Sequence, residues 1–585
     1  MADFRTTFAA TVLGGTLLVI TPALAADYYV APDGDDSSPG TEGEPFRTVG
    51  RGQTAAAPGD TVFVRGGTYS FTTGTVGVAF TKAGQTGNPI RYFAYPGEIP
   101  IFDLSGITNP SGRVTGFDVN TSYVHIRGME IRGVPQYQAG EDSWGLRIRG
   151  NGNVVELMNV HHNEAPGIFL TSGANNLILN SDSHHNYDVL EDGGSGDGFG
   201  CHSTGSGNVI SGCRGYENSD DGYDFINAPG ACTVEKSWAF RNGYIPDSST
   251  GAGNGAGFKA GGFGLDPGTF PSSVPRHVVR QCVAFLNRSQ GFYANHHPGG
   301  IDFFNNTAFS NGSNFNMLAD VGESSHTLRN NVALAPGGTI SSLSGGTDDS
   351  NSWTLPVTVS AADFLSTMVE AALASRSADG SLPTNDFARL TTGSDLIDQG
   401  VDVGLPYAGT APDLGAFEAG LGDTGGAGGA GAAGAAGGSM RGGAAGSGST
   451  GASGAPSSGG AGTAGAASGR AGANGGIAGS DETATGGAPS AGGGRSSAGS
   501  GGSSGGNSGG TSGGQPGASG TLGAAGTTPT QGTGGRSTIR EPGDVAEPSG
   551  CGCRVVARPR SFASLVLLLP ALALASARRR RSLAA

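Results

Sequence analysis

Lysine is nearly absent from this chain: Lys82, Lys236 and Lys259 are the only three among 33 basic residues. A formal charge of −15 excludes a nucleic-acid partner, which needs a basic face. Cysteine is scarce too, six in 585 residues, and the spacings among Cys201, Cys213, Cys232 and Cys282 match no metal motif. These four are expected mostly as buried thiols. Strong helical periodicity is missing. No aromatic residue occurs between Phe417 and Phe562, and residues 420–536 carry 46 of the 110 glycines, interleaved with Ala, Ser and Thr. Such a stretch cannot bury enough apolar surface to offset its ordering entropy, so residues 419–550 are read as a disordered spacer.

The two ends carry targeting signals. Residues 8–20 form a short apolar run after Arg5, and Ala23-Leu24-Ala25 offers a cleavage site, so residues 1–25 are expected as a signal peptide and the protein as secreted. At the other end, within residues 551–585, Cys551-Gly552-Cys553 precedes an apolar segment at 562–577, expected as a short helix, and then Arg578-Arg579-Arg580-Arg581. Sixteen apolar residues are marginal for a bilayer of roughly 30 Å. This Cys motif, apolar span and Arg cluster after a spacer resemble the MYXO-CTERM type of bacterial sorting tail. The resemblance implies display on or release from the cell surface, with membrane contact only through the tail.

Between these ends, residues 26–418 read as one β-rich domain. Residues 28–32 and 61–65 are expected as strands, and 46–57 as a short helix suited to capping a solenoid. Further β-runs follow at 90–95, 123–126, 129–131, 146–148 and 177–179, parted by Gly, Asn and Asp. An asparagine recurs at Asn163, Asn186, Asn218, Asn242, Asn287 and Asn311, with gaps of 23, 32, 24, 45 and 24 residues. The long gaps are coils carrying insertions, at 187–196, 243–257 and 261–275. A circuit of about 24 residues with asparagine at one corner predicts an all-β fold, a parallel β-helix. Leucine-rich repeats would show a leucine framework, and propeller blades need longer repeats. Residues 360–374 are expected as an amphipathic helix, with Phe364, Met368 and Leu373 packing over the last coils.

The repeat acts as a ruler for one acidic constellation. Asp197 stands two residues before Phe199, and Asp221 two before Tyr223, so they share a position on neighbouring coils. Asp224 and Lys259 each follow the column aromatic, at Tyr223 and Phe258. With coils roughly 4.8 Å apart, Asp197, Asp220, Asp221, Asp224 and Lys259 converge on one mouth. Four carboxylates this close need a cation or shifted pKa values to coexist. Calcium takes several hard oxygen ligands in irregular geometry, whereas zinc favours His or Cys. A lysine beside such a cation can surrender its proton and act as a base, which arginine does with great difficulty.

The order Asp, Asp-Asp-x-x-Asp, Lys on consecutive coils resembles the family 9 polysaccharide lyases, calcium-dependent pectate lyases with a lysine base, over residues 27–418. Tyr28-Tyr29-Val30-Ala31-Pro32, Pro58-Gly59-Asp60-Thr61 and Ala411-Pro412-Asp413-Leu414-Gly415 are similar to that group as well. The resemblance implies a right-handed parallel β-helix, Ca2+ held by Asp197, Asp220, Asp221 and Asp224, and Lys259 as the base of a β-elimination on pectate or polygalacturonate; the protein is expected as a monomer. Outward residues His202, Arg241, Arg288, Tyr293 and His296 are expected to hold neighbouring sugars, with the insertions at 187–196 and 243–257 walling the cleft. Three other readings stay open: a lyase for a different uronic-acid polysaccharide, a non-catalytic glycan-binding surface solenoid, or a glycoside hydrolase using Asp220-Asp221 as a carboxylate pair. Against the hydrolase, the Asn-Thr-Asp, Gly-His-Gly and Arg-Ile-Lys motifs of polygalacturonases are all absent from this sequence.

Overall fold

The structure, a computed structural model, describes residues 25–318 and 325–421. The expected signal peptide, nearly all of the spacer and the C-terminal tail lie outside the described residues. Three sheets of 12, 10 and 10 strands are formed, and neighbours within each sheet are almost always three strands apart in the chain. Each circuit therefore gives one strand to each sheet, and the paired strands run parallel, as in a parallel β-helix. The first sheet includes Asn208–Ser211 and Cys232–Glu235, the second Arg214–Tyr216 and Trp238–Phe240, the third Phe199–Cys201, Tyr223–Asp224 and Phe258–Lys259.

Strand alternation fills the interior. Ile126, Val155, Ile178, Ile210 and Val234 stack inward from the first sheet and are fully buried. From the third sheet, Phe199, Tyr223, Phe258, Phe292 and Phe315 stack face to face with centroids 4.6–5.0 Å apart. Burying each ring is worth roughly 1.5–3 kcal/mol, and each stacked pair adds about 0.5–1.5.

The corner asparagines lock one coil onto the next. Each Oδ1 accepts the backbone N–H of the ladder asparagine on the preceding coil at 3.1–3.3 Å, from Asn163 through to Asn311. The bonds across the 32- and 45-residue gaps match those across 23 and 24, so the extra residues stand outside the circuit. The residue before each of these asparagines turns the corner with φ of 52–57°. Just beyond the corner, glycine is needed for space: a Cβ on Gly222 would lie 2.7 Å from Gly257 O and 2.8 Å from Asn242 Nδ2.

At the N-terminal end the short helix spans Val49–Ala55, with the Thr48 side chain accepting the Arg51 N–H and Val49, Gly52 and Gln53 buried. Two expectations are corrected. Residues 360–374 hold a 3-10 turn at Ala361–Asp363 and a four-residue helix at Val369–Ala372, not one amphipathic helix. Ser360 and Asp363 close a capping box, after which Phe364 and Ser366 run extended and bridge Leu390 and Phe387, leaving Met368 and Leu373 exposed. This segment covers the outer face of the second sheet, where Trp238, Phe240, Phe285 and Phe309 point outward and pack with Phe364, Phe387 and Leu414. The second correction concerns cysteine. Cys201 and Cys232 form a disulfide, whereas Cys213 and Cys282 are buried free thiols.

One ion-pair cluster fastens the covering segment. Asp182 accepts from both Arg214 and Arg376, the second reaching across 194 residues. Burial pushes the Asp182 carboxyl up, but the two guanidinium groups overcome it and hold the group well below the usual range. Its contribution is present above the unfolded value near 4 and is lost as pH falls toward the folded one. Asp182→Asn should cost about 3–5 kcal/mol at pH 7 by urea unfolding, and the difference from wild type should shrink below about pH 4. Asn218→Ala should cost about 2–4 kcal/mol in the same assay, because it strands the buried Asn186 N–H and the Ser183 carbonyl.

Candidate active site

Alternation along the third sheet sets the site. Tyr223 and Phe258 point inward, so Asp224 and Lys259 must point outward, and the two stand opposite each other in register. Gly200 is the register partner of Asp224 on the preceding coil, with Phe199 opposite Tyr223. Asp197 and Asp221 precede this sheet by two residues. The Asp221 N–H donates to Asp197 Oδ1 at 3.1 Å, which ties the two coils at that level.

The five predicted residues are brought together. Lys259 Nζ lies 3.1 Å from Asp221 Oδ2 and 3.6 Å from Asp224 Oδ2. Asp197, Asp221 and Asp224 each offer an oxygen within 4.8 Å of the other two. Asp220 stands beside this trio without joining it: it is buried, and its charge is the strongest carboxylate influence on Asp197. All four carboxylates and the amine are buried, with Lys259 8% exposed.

Burial, then the neighbouring carboxylates, push Asp197 and Asp220 well above the usual carboxylate range. Burial raises Asp221 as well, against the pull of Lys259. For Lys259, burial favours the neutral amine, but Asp221, Asp224, Asp220 and Asp197 outweigh it and hold the amine protonated well above its ordinary range. One ammonium therefore faces four carboxylates. Asp221 Oδ2 is buried and makes no aligned hydrogen bond, although the Lys259 amine is near. A buried all-oxygen set with a single ammonium for its four carboxyl groups suits a hard cation.

The insertion at 243–257 does more than wall a cleft. Its Asn254 N–H donates to Asp220 Oδ1, and its Ala256 N–H donates to Asp221 Oδ1 at 2.6 Å. The two insertions also touch, through Gly253 N–H to Asp192 O at 3.1 Å. These donors escape a sequence reading because backbone amides carry no residue signature; the glycines of 251–257 were the available signal. The Cys201–Cys232 disulfide closes the 31-residue span that contains Asp220, Asp221 and Asp224.

The outer residues divide. His202 Nε2 is 3.8 Å from Asp224 Oδ2, and Tyr293 is the register partner of Lys259 on the next coil. His296 follows the strand Gln290–Tyr293, its N–H bonded to Leu318 O. Arg241 sits instead at the corner column, paired with Glu217 at 3.0 Å. Arg288 is occupied by the insertion, donating to the carbonyls of Gly253 and Ala252.

Comparison with known proteins bears on this geometry. The model of the family described as Pel9A-like, right handed beta helix region, matches residues 28–331. The chain is 37% identical over 401 residues to pectate lyase L of Dickeya chrysanthemi, covering 67% of this chain and 90% of that one. It is 31% identical over 396 residues to pectate lyase PEL9 of Emericella nidulans, covering 64% and 94%. Among solved structures, pectate lyase Pel9A aligns with TM-score 0.59 and 35% identity over 67% of this chain and 96% of that one. A rhamnogalacturonan lyase aligns with TM-score 0.58 and 36% identity, over 63% and 97%. Matched by that family model and by relatives along nearly their whole length, this chain belongs to the Pel9A-like right-handed β-helix family and is a polysaccharide lyase.

Proposed function

We propose that this lyase cleaves pectate by calcium-dependent β-elimination, with Asp197, Asp221 and Asp224 holding the cation, Asp220 beside them, and Lys259 as the base. The observation that carries the reading is the packing of three carboxylates within 4.8 Å of one another, with the only nearby amine 3.1 Å from one of them. The pectate lyase names of the relatives support the substrate. When bound, calcium would neutralise the uronate carboxylate and engage the oxygens that otherwise keep the Lys259 amine protonated.

The residues then have separate tasks. Lys259 Nζ takes the C5 proton, the electron pair forms the C4–C5 double bond, and the C4–O bond breaks. The departing oxygen collects its proton from water, leaving an unsaturated sugar. Burial of Lys259 favours its neutral form once the neighbouring charge is engaged elsewhere. The Asn254 and Ala256 amides hold the Asp220 and Asp221 carboxylates in place during the cycle.

The rhamnogalacturonan lyase neighbour favours a second reading, the same elimination on a different uronate-containing pectic chain. We also propose secretion and surface display as a monomer, by way of the leader and the tail. The Cys201–Cys232 disulfide supports an oxidising compartment.

Lys259→Ala should lower kcat by about 10²-fold or more while the circular dichroism spectrum of the folded protein in saturating Ca2+ stays the same. Retained turnover would remove Lys259 from the reaction. On a panel of polygalacturonate, methylated pectin, rhamnogalacturonan and alginate, products absorbing in the ultraviolet should arise from polygalacturonate, vanish with chelator and return with Ca2+. Saturated products, or unsaturated products that survive chelation, would contradict the reading.

A further inference from the structure

The outer face of the second sheet carries an aromatic column that changes character at one end. Phe309, Phe285, Phe240 and Tyr216 stack at 4.8–5.0 Å, and the column continues as His184 and His161. At these two rungs a second imidazole is added from the corner, His185 and His162, each in the left-handed conformation that turns its ring beside its neighbour's. Packing alone does not call for the second ring. The four imidazoles form a two-by-two array, with stacked pairs at 4.9 Å and the Nδ1 atoms of His184 and His185 only 2.7 Å apart, as are those of His161 and His162.

The partners of the outer nitrogens fix the tautomers. His185 Nε2 lies 2.6 Å from Glu217 Oε2, and a carboxylate accepts only, so Nε2 carries the proton. His184 Nε2 donates likewise to Asn159 Oδ1 at 3.0 Å. With both rings of this pair neutral, the facing Nδ1 atoms are bare lone pairs, with no proton of their own to share. The other pair differs: His161 Nε2 is held by Glu130 at 3.3 Å, and His162 can supply an Nδ1 proton. Two lone pairs at 2.7 Å repel unless a proton is shared between them or a metal ion set to one side, about 2.0–2.1 Å from each, takes both. Imidazoles whose outer N–H is fixed by carboxylate or amide oxygens are the usual arrangement around a bound transition metal.

We propose that His184 and His185, with His161 and His162 one coil away, bind a borderline divalent transition metal of the Zn2+ or Cu2+ kind, on a different sheet from the aspartate cluster. The facing Nδ1 atoms offer nitrogen alone, while the carboxylates of Glu217 at 2.6 Å and Asp247 at 3.6 Å lie on the Nε2 side of His185, so the two cations sort by chemistry. Neither the lyase reaction nor its substrate enters this inference.

The test uses purified protein without a polyhistidine tag, saturated with Ca2+, titrated with Zn2+ and with Cu2+ by calorimetry. One ion per chain is expected, and the copper form should show electron paramagnetic hyperfine splitting from at least two nitrogens. The double variant His162→Gln with His185→Gln should bind at least 10-fold more weakly. His162→Gln alone, at an exposed position that leaves the Glu217 contact intact, should weaken binding to a smaller degree with an unchanged melt in the absence of metal. Equal binding by wild type and variants, or no binding, would overturn the proposal in favour of a proton shared between rings. A single-nitrogen signal would overturn it as well, placing the ion on the Glu217–Asp247 side of His185.

Discussion

Everything in this molecule depends on the register of one coil on the next. The longest asparagine ladder fixes that register through side-chain and backbone bonds from Asn163 to Asn311, and shorter ladders, Asn153-Asn176-Asn208 and Asn306-Asn331-Asn351, do the same at the other two corners. Six non-glycine residues accept a left-handed corner to make it, at roughly 1 kcal/mol or more each, and the buried amide bonds offset this cost. The glycines after Asp197 and Asp221 belong to the same constraint. Gly198 and Gly222 are not turn glycines; a Cβ on either would strike the neighbouring coil's carbonyl and ladder amide. The Asp-Gly pairs are therefore half chemistry and half architecture.

From that register the electrostatics follow. Stacking Asp224 under Lys259, and Asp197 beside Asp221, gathers four buried carboxylates around one amine. Raised pKa values mean that ionising Asp197, Asp220 and Asp221 in the folded state is unfavourable, so the cluster costs stability as pH rises above the unfolded carboxylate value. The chain offsets part of this locally with two amides from the 243–257 insertion, and closes the span with a disulfide. A site that remains destabilised in spite of this support is one poised for a cation.

Much of this was legible in the sequence because a solenoid converts spacing into position. The asparagine gaps gave the circuit, and the aromatics at Phe199, Tyr223 and Phe258 gave the inward column, so the outward neighbours Asp224 and Lys259 could be placed on adjacent coils. Residues off the regular circuit were not legible. Arg241 falls at a corner where Glu217 claims it, and Arg288 reaches into an insertion whose path no repeat dictates. The pairing of Cys201 with Cys232 depends on insertion lengths, and the C-terminal segment follows the apolar outer face of the second sheet rather than a periodicity of its own. Backbone donors such as Asn254 and Ala256 carry no mark in the sequence at all.

The most direct measurement is a crystal structure of the Lys259→Ala protein with Ca2+ and an oligogalacturonate. The cation should lie among Asp197, Asp221 and Asp224, bridging to a uronate carboxylate, with that sugar's C5 hydrogen directed at the position vacated by the amine. A cation bound elsewhere, or a C5 hydrogen facing away from residue 259, would contradict the assignment of this cluster as the reaction centre.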